Sequence, residues 1–141
     1  MILHYYSRFV DELKQLWTPW RIEYVLMKKP KGCIFCKLAQ DNRDESNYIL
    51  YRGMTNFMMM NSYPYNNGHL VIAPYRHARD LSTLNITEFH HHIETVRLAQ
   101  SLLQKAFNPD GFNIGRSYAV DAPFCRKERS SSRFFNYLSN R

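Results

Sequence analysis

The sequence predicts a single α+β domain, in which one long helix packs on an antiparallel sheet. Residues 55–60 and 69–73 are short apolar runs, which are typical of buried strands. Residues 61–68 lie between them and contain Pro64 followed by Asn-Asn-Gly, which favours a turn. Residues 87–107 carry apolar side chains at helical spacing. A strand–turn–strand unit followed by one long helix indicates the α+β class.

The composition fits one folded domain. The chain has 141 residues, of which 45% are hydrophobic and 15% aromatic, so it can bury a core of ordinary size. No apolar run approaches the ~20 residues that span a bilayer, and residues 1–8 lack the basic-then-apolar order of a signal peptide. Three cysteines do not make a disulfide framework. We therefore expect a cytoplasmic protein with no membrane partner.

The positive charge is concentrated at the C-terminal end. Residues 116–141 contain six basic and two acidic residues, so they hold +4 of the net charge of +7. Basicity confined to one segment, without any readout motif, is a weak sign of nucleic-acid binding. The charge pattern therefore argues against nucleic acid as the main partner.

The N-terminal part predicts a helix and an apolar contact. Residues 1–16 have apolar residues at roughly helical spacing and predict a short amphipathic helix. Trp17 and Trp20 follow it and require an apolar surface to cover them. That surface is either the domain's own core or a second subunit, since tryptophan is enriched at interfaces.

The remaining elements follow in order. Residues 48–51 predict a short strand. Thr87 is the expected N-cap of the long helix, which residues 108–111 end with Asn-Pro-Asp-Gly. Residues 112–115 begin another strand, and residues 134–138 are apolar with no evident partner strand. The expected buried side of the helix consists of Phe89, Ile93, Val96, Leu98, Ala99, Leu102, Leu103 and Ala106.

The histidines and cysteines offer several candidate sites. Cys33-x-x-Cys36 has the spacing of two zinc ligands, of a redox pair or of two buried free thiols, and His77 and His69 are candidates for further ligands. Residues 90–92 are three consecutive histidines on the predicted helix. They fan out by ~100° each, so they cannot converge on one metal or phosphate, and we expect a partly exposed helix face.

Several segments together resemble one known family. They are Leu16-Trp17-Thr18-Pro19-Trp20-Arg21, Gly32-Cys33-Ile34-Phe35-Cys36, residues 60–74 with His77, and residues 108–115. In this order and spacing, over residues 16–115, the chain resembles the histidine triad (HIT) family. It is most similar to the branch related to diadenosine tetraphosphate phosphorylases and hydrolases. The resemblance implies a HIT-like antiparallel sheet with one long helix, a homodimer, and binding of a purine nucleotide or dinucleoside polyphosphate.

The resemblance also implies roles for individual residues. The residues that match the base pocket are Ile34, Phe35, Leu38 and Met59, and their apolar side chains suit a flat purine face. Asn61 matches the residue that bonds the ribose hydroxyls, Asn113 matches one near the phosphates, and His69 matches a histidine beside the active site. Three of the four zinc ligands of zinc-binding members are matched, by Cys33, Cys36 and His77, and the fourth is missing.

The resemblance ends after Gly115. HIT enzymes continue to a His-x-His-x-His motif, whose middle histidine forms a nucleotidyl-histidine, whereas no histidine follows His92 in this sequence. We therefore assign no catalytic residue and expect the C-terminal strand region to be aberrant or missing, which would leave an exposed sheet edge. The sequence divides into an N-terminal extension (residues 1–15), an incomplete HIT-like domain (16–115) and a divergent basic tail (116–141).

Three functions are compatible with this pattern. The lineage is that of enzymes that cleave dinucleoside polyphosphates or nucleotide conjugates. The chain as written fits a catalytically dead nucleotide-binding module, and a dead zinc- or nucleic-acid-binding module is the alternative. The abrupt change at Arg116 is what a reading-frame shift or truncation would produce. Translation of the other two frames downstream of that codon would test this interpretation.

Overall fold

A computed structural model describes Pro19 and residues 21–28, 32–78, 81–117 and 135–140. The helix that we predicted over residues 1–16 and the two tryptophans lie outside the described residues. The described helices are α1 (Arg21–Leu26), α2 (Ile34–Gln40), a 3₁₀ turn (Leu81–Thr83) and α3 (Ile86–Phe107). The described strands are β1 (Ile49–Arg52), β2 (Asn56–Met60), β3 (Leu70–Pro74), β4 (Phe112–Ser117) and β5 (Phe135–Asn140).

The strands form one antiparallel sheet in the order β1-β2-β3-β5-β4. This arrangement, with the long helix α3 packed on it, confirms the predicted α+β class with its antiparallel sheet and one long helix. In the part of the chain that the structure describes, no helix combines the length and the apolar character needed to cross a membrane.

Helix α3 begins two residues earlier than expected. Asn85, and not Thr87, is the N-cap: its side chain accepts a 2.9 Å hydrogen bond from Glu88 N, while Asn85 N donates to the Glu88 carboxylate at 2.9 Å. This reciprocal capping box satisfies two backbone groups, which explains why it determines the start of the helix. The helix ends as predicted, with Asn108 in the left-handed conformation (φ 44°).

The core lies on both faces of the sheet. On one face, buried side chains of β2 and β3 pack against Val96, Ala99 and Leu103 of α3. On the other face, Phe35 and Leu38 of α2 pack against a second buried cluster, which consists of Ile49, Phe57, Met59, Val71 and Ala73. The sheet is therefore sandwiched between α3 and α2, and this positions α2 for the candidate site.

The expected buried side of α3 was only partly right. Four of its members are more than a third exposed, namely Phe89, Ile93, Leu98 and Leu102, and Ala106 is also exposed. In their place, the face of α3 that packs on the sheet includes the polar residues His92 and Thr95. The histidine run is exposed at His90, half-buried at His91 and buried at His92, in agreement with the predicted partly exposed helix face.

The C-terminal region departs from expectation by taking an internal position in the sheet. Strand β5 pairs with β3 on one side, where Leu138 faces Leu70, and with β4 on the other, where Asn140 faces Phe112. The expectation that residues 134–138 have no partner strand was wrong, and the exposed edge expected beside β3 is covered. Backbone hydrogen bonds form along a strand whatever its side chains, so a sequence unlike the family's can still fill this place. Strand β5 contains no histidine.

Candidate functional site

The turn between β2 and β3 is held together by Asn61 and His69. Asn61 N donates to His69 O at 3.0 Å, which continues the ladder one step beyond the strands. Asn61 Oδ1 accepts a hydrogen bond from Tyr63 N at 2.9 Å, and its amide nitrogen lies 3.3 Å from His69 Nε2. Tyr65 N donates to His69 Nδ1 at 3.1 Å, and the Tyr65 ring stacks on the imidazole. The turn therefore holds the Asn61 amide and the His69 ring in fixed positions.

Asn61 retains hydrogen-bonding capacity for a ligand. Its carboxamide oxygen accepts two hydrogen bonds and its nitrogen donates two, and the contacts within the turn use only part of these. The side chain is half-buried, whereas His69 is only 5% exposed. Asn61 is thus the more accessible of the two and the better placed to bond a hydroxyl pair.

Asn113 lies in the same row of the sheet as these two residues. Asn113 pairs with Ser139, and Leu70 pairs with Leu138. Continuing that register by one residue places His69 opposite Ser139, so Asn61, His69 and Asn113 occupy one row across the strands. Residues paired in a row point to the same face, and this is the α2 face. Two strand spacings separate His69 from Asn113, which is about 10 Å.

Apolar side chains of α2 and β2 lie on that same face, and we call Phe35, Leu38 and Met59 the apolar wall. Phe35 and Leu38 of α2 pack against the cluster that includes Met59, which is 8% exposed. Ile34 is half-buried at the start of α2 and, among the described side chains, is not one of those packed against this cluster. The structure therefore brings three of the four predicted base-pocket residues together and places the fourth next to them in sequence.

The two cysteines and His77 form a compact group of metal-binding side chains. Each residue offers one ligand atom, and these atoms all lie within 4.8 Å of one another, with Cys36 Sγ 3.4 Å from His77 Nδ1. Gly32, at φ 89°, turns the chain just before Cys33. Two thiolates and one imidazole fit zinc, which takes four such ligands in a tetrahedral site. Among the described residues no fourth member joins the group, and neither His69 nor residues 90–92 belong to it.

An ion pair fixes the chain next to His77. The Arg76 guanidinium binds the Glu88 carboxylate at 2.6 and 2.9 Å and also donates to Thr83 O at 2.7 Å. Hydrogen bonding to Arg76, assisted by Asn85 N, lowers the pKa of Glu88 to about 2. The segment that carries His77 is thereby tied to the start of α3.

Comparisons with known proteins found relatives both by sequence and by overall fold. No family model matches the chain. The AP-4-A phosphorylase of Mycobacterium tuberculosis, found in two strains, is 30% identical over an alignment of 121 residues, and the match covers 79% of this chain. The chain spans only 62% of the length of that relative.

Solved structures show the same architecture. A HIT family protein from Bacillus anthracis superposes with a TM-score of 0.62 at 22% identity, covering 79% of this chain and 74% of that one. Diadenosine triphosphate hydrolase from Plasmodium falciparum gives a TM-score of 0.57 at 14% identity, covering 67% and 61%. This chain has the histidine triad fold. The resemblance to the HIT superfamily that the motifs indicated is confirmed over about 79% of the chain.

Two arginines of this HIT-like chain were missed at the level of sequence. Arg76 ties down the segment that carries His77, and Arg52, at the end of β1, contacts α2. Their partners lie 7 to 14 residues away, so no local pattern reveals them. The available signal was weak: Arg52 is a charged residue at the end of a predicted strand, where partial burial demands a partner.

Proposed function

We propose that this chain is a HIT-type nucleotide-binding protein whose site lies on the α2 face of the sheet. One observation carries the proposal: Asn61, His69 and Asn113 share a row that runs beside the apolar wall of α2. A polar row next to an apolar wall suits a ligand with a flat apolar base at one end and polar sugar and phosphate groups at the other.

Each part of a nucleotide has a candidate partner. A purine base packs on Phe35, Leu38 and Met59, with Ile34 at the near end of α2. The ribose diol bonds to Asn61, whose amide both donates and accepts. The phosphates extend along the row past His69 towards Asn113. The names of the relatives support this assignment, since they refer to AP-4-A and to diadenosine triphosphate.

We propose binding without nucleotidyl transfer for these 141 residues. The HIT reaction requires a histidine nucleophile and a group that protonates the leaving phosphate, and no histidine follows His92. His69 does not replace the nucleophile, because it is buried and its Nδ1 accepts from Tyr65 N. The proposed ligand is a purine nucleotide or one half of a dinucleoside polyphosphate, and a homodimer is the proposed assembly.

We further propose that zinc occupies the group formed by Cys33, Cys36 and His77. The donor set and the short distances between its atoms support this proposal. These residues would hold the ion as a structural centre that links the start of α2 to the segment after β3. Such a centre would stabilise the orientation of α2 and hence of the nucleotide-binding wall.

Calorimetry tests the nucleotide proposal. AMP and diadenosine tetraphosphate are titrated into the purified chain, its Asn61→Ala variant and the control variant Asn67→Ala, which alters an exposed asparagine of the same turn. We expect wild type and the control to bind alike, and Asn61→Ala to bind about tenfold more weakly through the loss of hydrogen bonds to the ribose. Folded wild type that binds neither ligand, or that hydrolyses diadenosine tetraphosphate at an enzymatic rate, would overturn the proposal.

A further inference from the structure

We propose that Arg52 is a positioning residue that holds α2, and through α2 the metal-binding thiols and the nucleotide-binding wall. The inference rests on the proposed function for its consequences, but its geometric basis is independent. Arg52 ends β1, and its guanidinium donates to the last carbonyls of α2: Nη1 to Ala39 O at 3.2 Å and Nη2 to Leu38 O at 3.1 Å. Nη2 also donates to Asp41 O, just past the helix.

A carboxylate holds the guanidinium in this position. Arg52 Nε and Nη2 donate to Asp44 Oδ1 at 2.9 and 2.7 Å. Hydrogen bonding between the two groups raises the pKa of Arg52 and lowers that of Asp44. The Arg52 side chain is 25% exposed, and its guanidinium carbon lies 6.0 Å from the centroid of the Phe57 ring. One side chain thus joins β1, the loop that follows α2 and the end of α2 itself.

Helix α2 depends on such contacts because it is short. It has seven residues, and its N-cap residue Cys33 makes no side-chain capping hydrogen bond. Helices of this length are unstable alone, and the final carbonyls of a helix lack partners within it. A cation at that end satisfies them and also complements the negative end of the helix dipole. Arg52 therefore supplies polar contacts that α2 lacks.

The consequence reaches the candidate site because α2 and its N-cap carry both thiols of the metal-binding group and two side chains of the apolar wall. Cys33 and Cys36 lie towards its N-terminal end, roughly 3–12 Å along the helix axis from the carbonyls that Arg52 binds, at 1.5 Å per residue. Phe35 and Leu38 belong to the same short helix and pack against the sheet. If the C-terminal end of α2 moves, the thiols shift relative to His77 and the wall shifts relative to the polar row.

Replacement by lysine separates charge from geometry. Lysine keeps the positive charge but has a single ammonium group, which cannot reach several carbonyls and a carboxylate in one plane. Arg43→Ala is the matched control: Arg43 binds Asp41 in the same loop through Nε and Nη2, but its side chain is 76% exposed. Asp44→Asn is a milder second variant, which keeps Arg52 and removes its carboxylate anchor.

The experiment is a cobalt(II) titration of the full chain, read by the thiolate-to-cobalt absorption bands, with AMP binding measured on the same samples. We expect wild type and Arg43→Ala to give the same spectrum and affinity. Arg52→Lys and Arg52→Ala should bind cobalt about ten- to a hundredfold more weakly with an altered spectrum, and Asp44→Asn should lie between. Circular dichroism checks that each variant is folded at the assay temperature.

The outcomes separate this inference from the proposed function. Unchanged cobalt affinity, spectrum and AMP affinity in both Arg52→Lys and Asp44→Asn would overturn the positioning role. A weaker, altered cobalt complex in these variants supports it even if wild type binds no AMP, which would refute only the nucleotide proposal. If wild type takes up no cobalt, the zinc proposal fails, and a drop in AMP affinity confined to the Arg52 and Asp44 variants still supports the positioning role.

Discussion

Replacement of Glu88 by glutamine should destabilise the protein at neutral pH and have little effect in strong acid. Glu88 caps α3 through Asn85 and binds the Arg76 guanidinium. Glutamine retains an oxygen that can accept from Asn85 N, so the capping box persists, but it carries no charge to pair with Arg76. The substitution therefore isolates the ion pair that ties the segment carrying His77 to α3.

The expected magnitude follows from the pKa of Glu88. The pKa falls from 4.5 to about 2 in the folded protein, which corresponds to about 3 kcal/mol at most. Arg76 is 49% exposed although Glu88 is only 13% exposed, so solvent screening reduces the contribution to about 1–2 kcal/mol. Because the folded-state pKa is lowered, this stabilisation is complete above the unfolded pKa of 4.5 and is lost as the pH falls towards 2.

Urea unfolding at pH 7 and at about pH 2.5 measures the contribution of the ion pair to stability when it is complete and when most of it is lost. We expect the difference in free energy of unfolding between wild type and Glu88→Gln to shrink by more than half in acid. Glu94→Gln, an exposed position on the same helix, should match wild type at both pH values. An equal difference between wild type and Glu88→Gln at the two pH values would refute the reasoning, because the ion pair would then contribute nothing.

Three further predictions concern the core and the metal group. Gly68→Ala should lower the free energy of unfolding by about 2 kcal/mol, because φ is +72° and the new Cβ would lie 2.9 Å from Leu103 Cδ2. In urea unfolding, the effect of Gly68→Ala should be smaller in a Leu103→Ala background. Strictly additive effects of the two substitutions would contradict a steric origin. Burial lowers the pKa of His92 to about 4. Since the unfolded state takes up this proton below about pH 6.5, stability should fall from pH 6.5 to 4 in wild type and fall less in His92→Gln; equal slopes in the two proteins would contradict the prediction. His77→Ala should abolish the cobalt absorption bands while His90→Ala retains them, and bands that survive in His77→Ala would remove it from the ligand set.

Local patterns were sufficient to predict β1 to β4 and the long helix, but they did not predict β5. The apolar runs on either side of the turn became β2 and β3, with bounds shifted by one residue. The N-cap was misplaced because Thr87 and Asn85 are both good capping residues, and only the reciprocal bond with Glu88 favours Asn85. Asn85 and Glu88 are three residues apart, so the capping-box pattern is visible in the sequence and could have predicted the correct N-cap.

Contacts between distant segments could not be predicted in this way. The buried stripe of α3 includes Thr95, whose hydroxyl donates to Asn56 Oδ1 at 2.8 Å across 39 positions of sequence. The burial of a polar residue can be predicted only when its hydrogen-bond partner is known. The apolar pattern alone therefore assigned exposed residues, such as Phe89 and Ile93, to the buried side of the helix. The spacing of the two cysteines indicated a possible metal site, the resemblance selected His77 as their partner, and the structure adds the proximity of the three ligand atoms.

The place of β5 in the sheet has a consequence for how the chain folds during synthesis. Within the described residues, β4 pairs only with β5, so residues 112–117 join the sheet through residues 135–140. Leu70 can pair with Leu138 only after 68 further residues have been synthesised, and such non-local pairing slows folding. Until that stretch leaves the ribosome, Asn61 and His69 can already be in place while Asn113 is not. The proposed nucleotide site would therefore be assembled in two stages, and the part of it that we assign to the phosphates would form last.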